Sequence, residues 1–142
     1  MTQIPQPSFN IHPAVYRAML NHVSSVFFNE EVCGMAVGQK KAIYQGIPVE
    51  NILHSPDAYQ MNPQEQVDTL INIEKQSLEL LAIYHSHPTG PDHPSQRDIR
   101  EFAYPGIATI IWSPIPNGNQ WQMKVFRIQE KGYSQTEWFW IK

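Results

Sequence analysis

Two histidines one residue apart, His85 and His87, are the residues best placed to do chemistry in this chain. Side chains of an extended strand alternate between faces, so positions 85 and 87 project to the same side. Two imidazoles so placed at a strand end suit two adjacent positions on one metal ion. A short loop then returns the chain, and Asp98 on a following helix can add a third, oxygen ligand. Three protein ligands leave a fourth position for water, which distinguishes a catalytic zinc site from a closed structural one. Zn²⁺ with two neutral imidazoles and one carboxylate keeps about one positive charge, which can lower the pKa of a bound water from about 15.7 toward ~7. Such a water needs a proton acceptor. Glu30 and Glu31 are the only acidic residues before Glu50, and they stand directly ahead of an expected strand.

Those side chains need elements to hold them. Pro13 suits the first position of a helix over 13–27, because its missing N–H would be unpaired there, and Val15, Met19, Val23 and Val26 give that segment an apolar stripe. Residues 32–38 read as a strand, 39–41 as a turn and 42–49 as a second strand. Asn62, Pro63 and Glu65 supply the cap, first position and acidic first turn of a helix, with Val67, Leu70 and Ile71 expected on its core face. The apolar run 78–84 reads as a strand buried on both faces, ending at His-Ser-His. A Pro- and Gly-rich loop, a helix over 95–103, a buried strand over 107–112 and a turn over 114–119 follow. Strands over 120–128 and 133–141, rich in aromatic and β-branched residues, finish the chain. The order α-β-β-α-β-α-β-β-β predicts an α/β (α+β) fold with a mixed central sheet flanked by helices. Residues 1–142 form one expected domain, with 1–10 as an extended N-terminal arm.

Composition narrows the function classes. The chain has 142 residues, of which 42% are hydrophobic and 16% charged, an ordinary size for one globular domain and too short for a (β/α)8 barrel of ~250 residues. Ten basic and thirteen acidic residues give a net charge of −3, with no clustered Lys and Arg to neutralise phosphates, so no nucleic-acid partner is expected. One cysteine excludes an internal disulfide framework and a Cys-rich zinc site. No run of ~18 apolar residues is available to cross a membrane, and the first residues lack the pattern of a signal peptide. A cytoplasmic protein without a membrane partner is the expectation.

The spacing also carries a resemblance. His85-Ser86-His87, seven residues, Ser95, two residues and Asp98 match the H-x-H-x7-S-x2-D signature of JAMM (MPN+) metallopeptidases. Upstream, Glu31-Val32-Cys33-Gly34 resembles the glutamate segment of that family, with the Glu three residues before a Gly, which selects Glu31 over Glu30. The chain is therefore similar to small prokaryotic-type members. The resemblance implies a JAMM/MPN-like fold with cytidine-deaminase-like layering, and one Zn²⁺ per chain held by His85, His87 and Asp98. It also implies Glu31 as the general base on the zinc-bound water and Ser95 as the donor to the oxyanion. Family members hydrolyse peptide or isopeptide bonds, often after the C-terminal glycines of ubiquitin or ubiquitin-like proteins. Segments 51–61 and 104–119 are short beside those of eukaryotic ubiquitin-specific relatives. The expected substrate is accordingly a ubiquitin-like protein of the sulfur-carrier type.

Plainer readings compete at each position. Ser95 to Asp98 also reads as a capping box, which is compatible with a metal role. His93 reads as an exposed loop residue, His12, His22 and His54 as structural or exposed, and Cys33 as a small buried thiol. The aromatic tail Trp138-Phe139-Trp140 reads as a strand with one buried face. Two other functions fit parts of the pattern: a non-catalytic MPN-type interaction domain, and a RadC-like DNA-associated protein whose HNHPSG segment resembles residues 85–90. Metallo-β-lactamase, zinc-deaminase and H-E-x-x-H spacings are absent.

Overall fold

The computed structural model describes residues 8–26, 29–116 and 120–142. Among the described residues, eight strands and three helices follow one another as β1 (Phe9–Ile11), α1 (Pro13–Ser25), β2 (Cys33–Gln39), β3 (Ala42–Val49), α2 (Pro63–Lys75), β4 (Glu79–Ser86), α3 (Gln96–Glu101), β5 (Ala108–Pro114), β6 (Trp121–Gln129), β7 (Gly132–Thr136) and β8 (Trp138–Trp140). All strands join one mixed sheet in the order β7-β6-β5-β4-β2-β3-β1-β8, with parallel pairs at β4–β5, β1–β3 and β1–β8. The mixed sheet with flanking helices is the expected class.

The outer strands depart from expectation. Part of the expected arm, Phe9 and Asn10, lies within β1, hydrogen-bonded between β3 and β8. The strand expected over 133–141 breaks at Glu137 into β7 and β8, which occupy opposite ends of the strand order. A single connecting residue can serve both ends only if the sheet coils until its edges meet. A contact across that seam agrees: Arg127 of β6 lies 5.0 Å from the centre of the Phe9 ring of β1. Parts of the turn expected over 114–119, and Phe27 at the expected end of the first helix, lie outside the described residues.

α1 sits inside this coil. His12 caps it by accepting the Ala14 N–H, Pro13 opens it, and Val15, Met19 and Val23 are buried, consistent with the apolar stripe. They pack with Phe9, Ile11, Tyr84, Ile110 and Trp112 in one apolar core, and Tyr16 touches the rings of Trp112, Trp138 and Trp140. A second core on the other face joins Cys33, Met35, Val37, Val49, Met61, Ile73 and Ile83 beneath α2. Asn62 caps α2 as expected, but Ile73 is its buried residue, while Val67 and Ile71 face outward. Leu70 packs against the second core as expected, and the inward row also carries Gln66, bonded to the Tyr104 hydroxyl. The tertiary contact of Gln66 overrides the phase suggested by the aliphatic residues.

Candidate metal centre

β2 and β4 build the centre. They pair antiparallel with Cys33 directly opposite His85, so Glu31, two residues before Cys33, lies on the same face as His85 and His87. Ser86, between the histidines, points to the other face, where its hydroxyl accepts the Val32 N–H at 2.9 Å; the Ser86 N–H donates to the Val32 carbonyl at 3.1 Å. The residue that spaces the two histidines therefore also ties down the segment that carries Glu31. Gly34 has its own reason to be glycine. A Cβ there would lie 2.4 Å from the Tyr84 ring and 2.5 Å from the Ile47 carbonyl oxygen.

α3 brings in the remaining groups. Ser95 is its N-cap and Asp98 its third residue, with both halves of the capping box formed. The Ser95 hydroxyl accepts the Asp98 N–H at 3.0 Å, and the Ser95 N–H donates to Asp98 Oδ2 at 2.9 Å. The cap leaves the hydroxyl hydrogen of Ser95 available to donate elsewhere.

These elements bring all five residues together. Asp98 Oδ2 lies 3.0 Å from His87 Nε2, Asp98 Oδ1 lies 3.5 Å from His85 Nε2, and Glu31 Oε1 lies 3.4 Å from His85 Nδ1. One donor atom each from Glu31, His85 and His87 fall within 4.8 Å of one another, and all three residues are buried. Glu30 points away and pairs with His54 at 3.1 Å, so burial separates two adjacent carboxylates that the sequence presents side by side. The Glu31 segment is further held by buried Asn51, whose amide donates to the Glu31 and Ala58 carbonyls while its oxygen accepts from Leu53 and Gln60. A lone asparagine carries no sequence signal for that role.

The donor set fits a divalent ion. Two ligands about 2.0–2.1 Å from a tetrahedral ion stand ~3.3–3.4 Å apart, and the two Asp98 oxygens bracket that spacing, Oδ2 at 3.0 Å from His87 Nε2 and Oδ1 at 3.5 Å from His85 Nε2. His85 Nδ1 is buried and makes no hydrogen bond, a cost unless another group organises the ring. His87 Nδ1 lies 2.8 Å from the Pro91 carbonyl; a carbonyl only accepts, so Nδ1 carries the hydrogen and Nε2 is the nitrogen turned to Asp98 and the centre.

The electrostatics reflect the same crowding. Burial alone would raise the Asp98 pKa, yet the His85 charge, the His87 hydrogen bond and the Ser95 N–H together hold it well below the usual carboxylate range. Burial alone would lower His87, and the hydrogen bond and charge of Asp98 outweigh it and raise the imidazole. Burial pushes the Cys33 thiol up to about 12, with Glu31 adding to the effect; the thiol donates to the Val49 carbonyl and is a structural residue. His22 likewise is structural, bonded to the Tyr84 hydroxyl at 2.7 Å.

A cavity of about 240 Å³ opens beside the centre, with Glu31, His85, Ser95 and Asp98 in its lining and Tyr59, Met61, Phe102 and Tyr104 among its apolar walls. Tyr59 lies over His85 with ring centroids 4.7 Å apart. The sequence signature did not mark Tyr59, since a tyrosine in an irregular segment has no pattern that reveals a stacking partner.

The family model for prokaryotic homologues of the JAB domain matches residues 12–127. The chain is similar to a desampylase from Pyrococcus furiosus, 36% identical over 83 residues that cover 58% of each protein. It is also similar to a probable TtuB-protein conjugate cleaving protease from Thermus thermophilus, 42% identical over 73 residues covering 51% of this chain and 49% of that one. The matched part thus spans about half to three-fifths of the length of these curated relatives. In structure, the chain resembles a protein from Desulfitobacterium hafniense with a TM-score of 0.82 at 25% identity, covering 94% of this chain and 93% of that one. The fold is shared by a JAB1/MPN domain protein from Archaeoglobus fulgidus, with a TM-score of 0.60 at 18% identity over 96% and 100% of the two chains. With the family match extending over the glutamate segment, the histidine pair and the Ser–Asp helix start, the chain belongs to the prokaryotic JAB-domain branch of the JAMM (MPN+) family.

Proposed function

We propose that the chain is a zinc-dependent peptidase or isopeptidase that hydrolyses a peptide or isopeptide bond at the C-terminus of a ubiquitin-like protein of the sulfur-carrier type. The observation that carries this reading is the convergence of Glu31, His85, His87 and Asp98 beside a cavity that Glu31, His85, Ser95 and Asp98 line. The names of the curated relatives, a desampylase and a conjugate-cleaving protease, support the substrate class.

His85, His87 and Asp98 would hold one zinc ion. When bound, that ion supplies Lewis-acid polarisation of the scissile carbonyl and a lowered pKa for the attacking water. The rest belongs to the chain's own side chains. Glu31, buried and anchored through Asn51, accepts a proton at its carboxylate and returns it to the leaving amine. Ser95, fixed as a helix cap, donates its hydroxyl hydrogen to the oxygen that becomes negative in the transition state. The cavity beside Tyr59 and Tyr104 has room for an extended tail that ends in small residues. Among the described residues no helix is long and apolar enough to cross a membrane.

The test is cleavage of a carrier protein bearing a C-terminal extension or an isopeptide-linked lysine, followed by intact-mass measurement. Release after the terminal glycine, abolished by a chelator and restored by zinc, is expected. Intact substrate with the zinc-loaded protein, across carriers with Gly-Gly ends, would contradict the reading.

A further inference from the structure

The seven residues between His87 and Ser95 are fixed from a distance, by strands that contribute nothing to the signature. After His87 the chain turns at once, with the Gly90 N–H donating to the His87 carbonyl at 2.9 Å, and the Pro91 carbonyl accepts His87 Nδ1 at 2.8 Å. The next two residues are each held by the sheet. Asp92 accepts the Lys124 ammonium at 2.5 Å, and the His93 ring stacks on Tyr133 at 5.6 Å with only 9° between planes. Tyr133 in turn stands edge-on to Phe126 at 5.5 Å. Lys124 pairs across the sheet with Ile111, and Ile111 with His85, so the same row of the sheet references both the loop and the histidines. An exposed ion pair alone holds a loop weakly; two anchors on successive residues hold its position and its direction.

We propose that Lys124 and Tyr133 are positioning residues of the metal centre: by gripping Asp92 and His93 they fix the Pro91 carbonyl that sets the tautomer and ring orientation of His87. This rests on the metal-centre reading above and extends it to residues outside the signature. A ligand imidazole whose second nitrogen loses its acceptor can rotate or change tautomer, and loss of such partners typically costs about 10–100-fold in metal affinity.

The experiment follows zinc release from the loaded protein into excess chelator, together with the visible absorption of the cobalt-substituted protein. Lys124→Met combined with Tyr133→Leu should release zinc about tenfold faster and change the cobalt band, while the metal-free protein melts where the parent does. Lys124→Arg with Tyr133→Phe keeps the charge and the ring and should behave as the parent. If the first pair destabilises the metal-free chain, Asp92→Ala with His93→Ala removes the same two contacts from the loop side and should reproduce the faster release. Parent-like release and an unchanged cobalt spectrum in a folded variant, or equal loss in the conservative pair, would overturn the proposal alone. A parent protein that takes up no zinc would instead overturn the metal-centre reading on which it rests.

Discussion

The two faces of the central sheet are buried to a similar degree and do opposite things. Along β4, Tyr84 and Ser86 point to the α1 side, while His85 and His87 point to the α3 side. On the first face Val15, Met19, Val23, Tyr84 and Trp112 interlock in an apolar core, and the polar atoms of Ser86 and Tyr84 have partners. On the second, Glu31, His85 and His87 each place a donor atom within 4.8 Å of the others, and Asp98 lies 3.0–3.5 Å from both imidazoles. Removing charged groups from water is costly unless they are compensated. Both faces carry apolar cores, but only the second also holds this crowded polar cluster, the one to which the proposed function assigns the chemistry. The period-two alternation of a strand is what allows the two to coexist within three residues.

Substitutions can separate the faces. Glu31→Gln preserves shape and removes the proton acceptor, so turnover should fall by about 10²–10⁴-fold with zinc content unchanged; unimpaired cleavage would remove Glu31 from the role of base. Ser95→Ala should lower kcat by ~10²–10³-fold through the lost oxyanion donor, and stability by only ~1 kcal/mol through the lost cap. Denaturant melts beside initial rates tell the two contributions apart. On the opposite face, Met19→Ala should cost about 2–5 kcal/mol by opening a cavity beneath the sheet, leaving zinc affinity near that of the parent. Weakened zinc binding there would show that the faces are not independent.

The smallest effect is a pH dependence in the metal-free protein. Asp98 is depressed when folded, so its contribution is present above the ordinary carboxylate pKa of ~3.9 and is lost as pH falls through the folded value. His87 is raised, so its contribution is present below the ordinary imidazole pKa of ~6.5 and is lost as pH rises through the folded value. The melting temperature of the metal-free chain should therefore peak between about pH 4 and 6.5, and Asp98→Asn should flatten the profile.

Much of the centre could be read from the sequence because its signals are local. Alternation places His85 and His87 on one face, and the capping box places Ser95 and Asp98 at one helix start. Glu31 comes only from the resemblance, through its place three residues before Gly34, where a Cβ would meet the Tyr84 ring. Less legible were features made by distant parts of the chain. β1, three residues that begin within the expected arm, is held by pairing with β3 on one side and β8 on the other, and the part of the expected last strand that forms β8 lies at the opposite end of the strand order from β7. The break at Glu137 has no turn residue to announce it. On α2 Leu70 lies inward as its pattern predicts, whereas Val67 and Ile71 face outward and Gln66 takes an inward place against Tyr104. The hold on the 88–94 loop depends on Lys124 and Tyr133, which are ordinary strand residues until the sheet brings them beneath it.

The most direct test of the central claim is metal content, by mass spectrometry on purified protein beside the His85→Ala/His87→Ala variant. About one zinc per chain in the parent and none in the variant is the expected result. A parent that holds no zinc even after reconstitution would contradict the metal centre, and with it the hydrolytic function.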